Sequence, residues 1–169
     1  MGIAAGSIAA IAEKKITNVL PKAFGVRLVD TDKPGWESDV EAAAYVEHVV
    51  HADDPLPSGP HRLEVFTIFP DQIAVDVTLY EQAGQVESSE LSANKAIDRG
   101  AGMISGLPPL PKGSPVDLDM TVSDEGLLTV HAVERSTGKD LVIEVRISVL
   151  SKEDVDQAKQ ALSGLAVRG

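Results

Sequence analysis

A mostly β fold, an antiparallel β-sandwich with short N- and C-terminal helices, is what three observations on this 169-residue chain predict. Apolar and polar residues alternate with period two in several short runs, so each run has one wet face. Glycine-bearing turn signals separate these runs. The stretch GLPPLPKGSP, Gly106 to Pro115, interrupts the alternation where a chain leaving one sheet for another would need to bend. Several short strands joined by tight turns point to a sandwich.

Residues 3–14 are Ala-rich and read as a short helix that Gly6 weakens. From Phe24 the period becomes two: Phe24, Val26 and Leu28 alternate with Gly25 and Arg27, and a second run covers Ala44 to His51. Between them TDKPGWESDVEA is polar and broken by Pro and Gly, so residues 31–43 form a long loop. The strand RLEVFTIF places Leu63, Val65 and Phe69 on one side and Phe66 with Ile68 on the other. Such a strand is either central and buried or borders a second apolar surface. The next run sets Ile73, Val75, Val77 and Leu79 on one face. Val116, Leu118, Met120 and Val122 repeat the pattern, as do Leu141, Ile143, Val145, Ile147 and Val149. Ser123-Asp124-Glu125-Gly126 and Ser136-Thr137-Gly138-Lys139 read as hairpin turns before the last two strands. The segment from Ser151 is helical, with Ser151 and Asp154 as a cap pair and Val155, Ala158, Leu162 and Leu165 at helical spacing.

Composition removes several function classes. With 15 basic against 26 acidic residues, a net charge of −11 and no basic run interleaved with aromatics, nucleic acid is not an expected partner. No cysteine is present, which excludes disulfides, zinc thiolates and cysteine nucleophiles. No run is long and apolar enough to span a bilayer, and the first charges follow the small apolar opening, the reverse of a secretory signal. A cytoplasmic location without membrane association is therefore the default expectation.

His48 and His51, with Asp53, Asp54 and His61 nearby, are the cluster that could suggest a metal site. In a strand the odd offset sends the two imidazoles to opposite faces, so no metal site is expected; a hydrolase built on His48, His51 and Asp54 is the weakest reading. GMISG is not a nucleophile elbow, and STGK lacks the upstream glycine of a phosphate loop. No base, nucleophile and oxyanion hole assemble, so the chain reads as a non-enzyme. Pro108 to Pro111 contains P-x-x-P, but its place between two alternating strands favours a stiff crossing over a groove ligand.

SGLPPLPKGSPVDLDMTVSDEGLLTVHAVERSTGKDLVIEVRI, Ser105 to Ile147, resembles the closing half of the β-sandwich substrate-binding domain of the seventy-kilodalton heat-shock chaperones, the DnaK type. That family has a G-I-P-P-A-P-R-G crossing, then D-x-x-G-I-L-x-V-x-A, then a T-G-K hairpin. Upstream, NVLPKAFGVRL and EVFTIF with IAVDVTLYE resemble its earlier strands. The resemblance implies a module that binds extended hydrophobic segments of unfolded polypeptides, works with co-chaperones, and is controlled by a fused ATPase domain. ATP would belong to that domain, and this chain itself would need no cofactor. It implies a remnant of the ATPase-domain helix and linker at 1–16, the peptide-binding sandwich at 17–150 and the start of a helical lid at 151–169. It also implies a pocket of Val26, Phe66, Val75, Val77 and Val116, an arch from Val29 and Phe69, main-chain hydrogen bonds around Thr67, and lid-latch positions at Asp71 and Lys112 that would lack a partner here.

Three departures accompany the resemblance. The loop 31–43 stands where the family has a tight turn, Phe69 is bulky where a small residue is usual, and the linker is replaced by EKKITN. They motivate an alternative, a divergent sandwich acting as an interaction or assembly module without a peptide cleft. Leu162 and Leu165 in ALSGLAVRG also make the tail a candidate occupant of a neighbour's cleft, giving weak self-association.

Overall fold

The computed structural model describes residues 17–164, the side chains of 160–164 excepted. The expected helix at 3–14 and the side chains of Leu162 and Leu165 lie outside the described residues. What is described is a sandwich of two four-stranded antiparallel sheets, as the alternation predicts. One sheet runs β3 (Ala44–Val50), β2 (Phe24–Val29), β5 (Val75–Gln82), β6 (Asn94–Ile104). The other runs β4 (Ser58–Phe66), β7 (Pro115–Val122), β8 (Leu127–Glu134), β9 (Asp140–Arg146). A two-residue pair, β1 (Asn18–Val19) with β10 (Leu150–Ser151), leads into helix α1 (Lys152–Gly164).

The alternating runs bury the faces expected of them. Val116, Leu118, Met120 and Val122 meet Leu128, Val130 and Ala132 of the neighbouring strand and Ile143 and Val145 of the next in one core. Leu20, Phe24, Val26, Val77, Leu79 and Ile104 supply the opposite sheet's share. Ile73 departs from its expected place: the strand begins only at Val75, and the Ile73 side chain is exposed while its carbonyl accepts the Leu107 N–H at 3.1 Å.

The Pro-rich stretch carries the chain from β6 in one sheet to β7 in the other, as the structural reading requires. Prolines 108, 109 and 111 stay at the surface while Leu107 and Leu110 are buried. Leu110 and Gln72 exchange main-chain hydrogen bonds at 3.0 and 3.2 Å, which fastens the crossing to the segment before β5. Gly106 and Gly113 sit at φ +69° and +88°, left-handed backbone that a side chain would strain.

Strand β6 has no counterpart in the periodicity reading. Its sequence NKAIDRGAGMI holds few large apolar residues, Arg99 adopts φ +62°, and the register with β5 shifts between Thr78 and Tyr80. It is an edge strand with a bulge, where alternation is weakest. Strand β4 proves to be an outer strand rather than a central one, with Leu63 and Val65 against the core and Phe66 turned out.

Helix α1 starts as the cap pair predicts, Ser151 Oγ accepting the Asp154 N–H at 3.1 Å. No helix among the described residues is long and apolar enough to cross a membrane.

Candidate functional site

A groove of about 340 Å³ opens where the two sheets part. One wall comes from the end of β2 and its surroundings, Leu28, Val29, Thr31 and Tyr45; the other is the outer strand from Glu64 to Ile68, closed by Lys112 and Gly113 of the crossing. The groove runs beside β4, which among the described residues has a partner strand on one side only.

Main-chain geometry along β4 follows from its ladder with β7. Thr67 is buried and committed to the crossing: its N–H donates to Ser114 O at 3.0 Å, its carbonyl accepts from Gly113 N–H at 2.9 Å, and its hydroxyl donates to Pro111 O at 2.9 Å. The N–H groups of Ile68 and Phe69 donate to Gln72 Oε1 at 3.1 and 3.3 Å. Antiparallel pairing alternates inward and outward groups, so Phe66 and Glu64 turn their N–H and C=O away from β7. No strand among the described residues lies on that side.

The chain has three phenylalanines, and two of them stand here. Phe24 is in the core, whereas Phe66 is 53% exposed and Phe69 39%. The Phe69 ring lies 5.3 Å from that of Trp36, tilted by 42°, and Lys112 Nζ lies 5.6 Å from the Trp36 ring centroid. Trp36, from loop 31–43, is only 5% exposed.

The structure therefore divides the expected site residues into groups. Val29, Phe66 and Thr67 border the groove together with Lys112. Val26, Val77 and Val116 are buried in the inter-sheet core, with Val75 half-buried against it. Phe69 meets Trp36 rather than the groove lining, and Lys112, expected to lack a lid partner, stands over the Trp36 ring. Asp71 is exposed at φ +57° in the turn before β5 and makes no ion pair among the described residues. Sequence reasoning missed Trp36 and Tyr45; a lone tryptophan in an otherwise polar loop was the available signal.

Charge around the groove is organised by ion pairs. Arg135 bridges Glu64 and Asp117, which face each other across β4 and β7, and Arg62 pairs with Asp119 at 3.1 Å. The Arg135 hydrogen bonds hold the Asp117 carboxyl below the usual carboxylate range despite partial burial. Burial, helped by Glu47 and Asp30, pushes the Tyr45 phenol up, so it stays a neutral hydroxyl at the groove wall.

The histidines go elsewhere. His48 Nε2 lies 2.8 Å from Asn94 Oδ1, and His51 Nδ1 lies 2.8 Å from Glu87. His48 Nδ1 also approaches Glu87, at 3.9 Å, so the expected opposition of the two rings does not hold. His51 is one residue beyond the end of β3, where strand alternation no longer sets direction. Asp54 instead accepts the His51 N–H at 2.8 Å. Among the described residues no group of three ligating side chains is placed to hold a metal.

No family profile matches the chain. It is 30% identical over 115 residues to "Heat shock 70 kDa protein 6, chloroplastic" of Arabidopsis thaliana, across 66% of this chain and 15% of that protein. With "Chaperone protein DnaK" of Endomicrobium trichonymphae it shares 30% identity over 99 residues, 57% of this chain and 15% of that one. A ribosome-associated molecular chaperone of Eremothecium gossypii is 44% identical over 57 residues, 32% of this chain and 9% of that protein. The matches thus span only 9% to 15% of the relatives' own lengths. Through these similarities and its β-sandwich, the chain is a relative of the seventy-kilodalton heat-shock chaperones, resembling their substrate-binding domain.

Proposed function

We propose that this domain is a chaperone module that holds extended hydrophobic segments of unfolded polypeptides in the groove beside β4. The observation that carries the reading is an outer strand whose outward main-chain groups at Glu64 and Phe66 have no strand partner among the described residues, next to exposed Phe66. An extended segment satisfies such groups as an added strand would. One of its apolar side chains then rests among Leu28, Val29, Phe66 and Ile68. The relatives' names, all of heat-shock or chaperone proteins, support the same class.

Among the residues the resemblance implies, Val29 and Phe66 would touch the bound side chain directly. Val26, Val77 and Val116 would act beneath them, as the packed floor that fixes the wall positions, and Thr67 would hold β4 to the crossing. Burying a leucine-sized side chain contributes about 1.5–3 kcal/mol, and each main-chain hydrogen bond about 1 kcal/mol net. After ordering costs, affinity in the micromolar range, about −8 kcal/mol, is expected. Control by a fused ATP-binding domain and by co-chaperones belongs to the same proposal; peptide release accelerated by ATP in the parent polypeptide is its test.

Fluorescence anisotropy of a labelled, extended, leucine-centred peptide tests the groove. Phe66→Glu, at an exposed position, should weaken binding about tenfold or more, the loss of roughly 1.4 kcal/mol. Equal affinity for the folded variant and the parent would move the site elsewhere. No binding by the parent, together with self-association that depends on loop 31–43, would favour the assembly-module alternative.

A further inference from the structure

Loop 31–43 is an ordered strap. Its turns close through Trp36 N–H to Lys33 O at 3.2 Å, Ser38 N–H to Gly35 O at 3.1 Å and Asp39 N–H to Trp36 O at 3.3 Å. Its ends are tied by Asp30 N–H to Ala43 O at 2.9 Å, Lys33 Nζ to Ala42 O at 2.7 Å and the Arg27–Glu41 pair at 2.8 Å. Between those anchors only Trp36 turns inward; apart from it and Ala43, every side chain of the strap is exposed or half-exposed.

The placement of Trp36 gives the strap a consequence. The strap springs from the β2 and β3 side, whose Val29, Thr31 and Tyr45 form one wall of the groove. Phe69 and Lys112, on which the indole rests, belong to the other side: Phe69 directly follows the wall residue Ile68, and Lys112 is itself a wall residue. The indole therefore links the two walls, and the spacing between them is the groove's width. An offset aromatic pair and a cation over the ring are contacts weak enough to open and close reversibly.

We propose that Trp36 is the clasp of the groove: its contact with Phe69 and Lys112 sets the width and governs how fast an extended polypeptide enters and leaves. This rests on the groove reading above and adds a positioning residue to it. With the clasp docked, the walls are held at one spacing and a bound segment is retained. When Trp36 lifts, the walls part and the segment exchanges. The exchange rate is thus written into the strap, through Trp36, which does not itself line the groove.

The chain's single tryptophan makes the test direct. Stopped-flow binding of the labelled peptide is followed by anisotropy and, separately, by Trp36 emission and its quenching by acrylamide. Peptide entry should change the Trp36 signal. Trp36→Ala should bind and release the peptide about tenfold faster, with a smaller change in Kd, the factor that an aromatic pair with an exposed cation–π contact supports. Trp36→Phe should stay within a few-fold of the parent, and Phe69→Leu should resemble Trp36→Ala, so the conclusion does not depend on one variant folding. Parent-like rates in both Trp36→Ala and Phe69→Leu, or an unchanged Trp36 signal with peptide bound, would overturn the clasp and leave the groove standing. No peptide bound by any of the proteins would overturn both.

Discussion

Gly25 shows how tightly single residues are specified. A Cβ added there would fall 2.0 Å from the Glu47 carbonyl oxygen, because β2 and β3 approach closely at a register shift between Phe24 and Gly25. Backbone cannot yield as a flexible side chain can, so Gly25→Ala should destabilise the domain by about 2–4 kcal/mol in urea unfolding. Glu134 is specified by its donors. It is fully buried from solvent, which raises its pKa, but the hydroxyls and N–H groups of Ser136 and Thr137 outweigh burial and hold it at about 2, against an ordinary 4.5. A depressed carboxyl stabilises the fold above its unfolded value, near 4.5, and loses that contribution as pH falls through about 2. Glu134→Gln should therefore unfold at lower urea than the parent at pH 7, and the difference should shrink towards pH 2. A constant difference across that range would show that the four hydrogen bonds do not act through charge.

At the scale of elements, the crossing and the outer strand β4 form one unit. Thr67 ties β4 to Pro111, Gly113 and Ser114, while Leu110 anchors the crossing in the core and pairs with Gln72. Leu110→Ala should cost about 2–4 kcal/mol in unfolding experiments, the range for emptying a buried leucine site. It should also loosen the groove wall, read as faster amide exchange at Thr67 and Gly113. An effect confined to global unfolding, with those two amides as protected as before, would separate the crossing from the wall. The Arg135, Glu64 and Asp117 network lies on the exposed face of the same strands, where solvent screens it, so salt should alter stability little.

Across the whole molecule, what sequence alone conveyed depended on periodicity. Strands such as Pro115–Val122 alternate strictly because one face is core and one is wet, and that contrast is written in residue type. Strand β6 was invisible because its bulge, two glycines and edge position remove the contrast. The exposure of Phe66 turned on its strand lying at a sheet edge, a long-range pairing that local pattern does not encode. The motif resemblance singles out Val26, Val77 and Val116 along with Phe66, but the depth to which the two sheets bury those three valines is a product of long-range packing that the motif does not convey. Trp36 could be noticed in sequence, but its partners Phe69 and Lys112 come from segments distant along the chain.

The central claim, that an extended polypeptide lies along β4 between the two walls, is tested most directly by mapping backbone amide shifts of the domain as a leucine-centred peptide is added. The account predicts that the largest changes cluster at Glu64–Ile68, Leu28–Val29 and the Trp36 indole, saturating in the micromolar range. Changes centred on another surface, with Glu64–Ile68 unmoved at saturation, would contradict it.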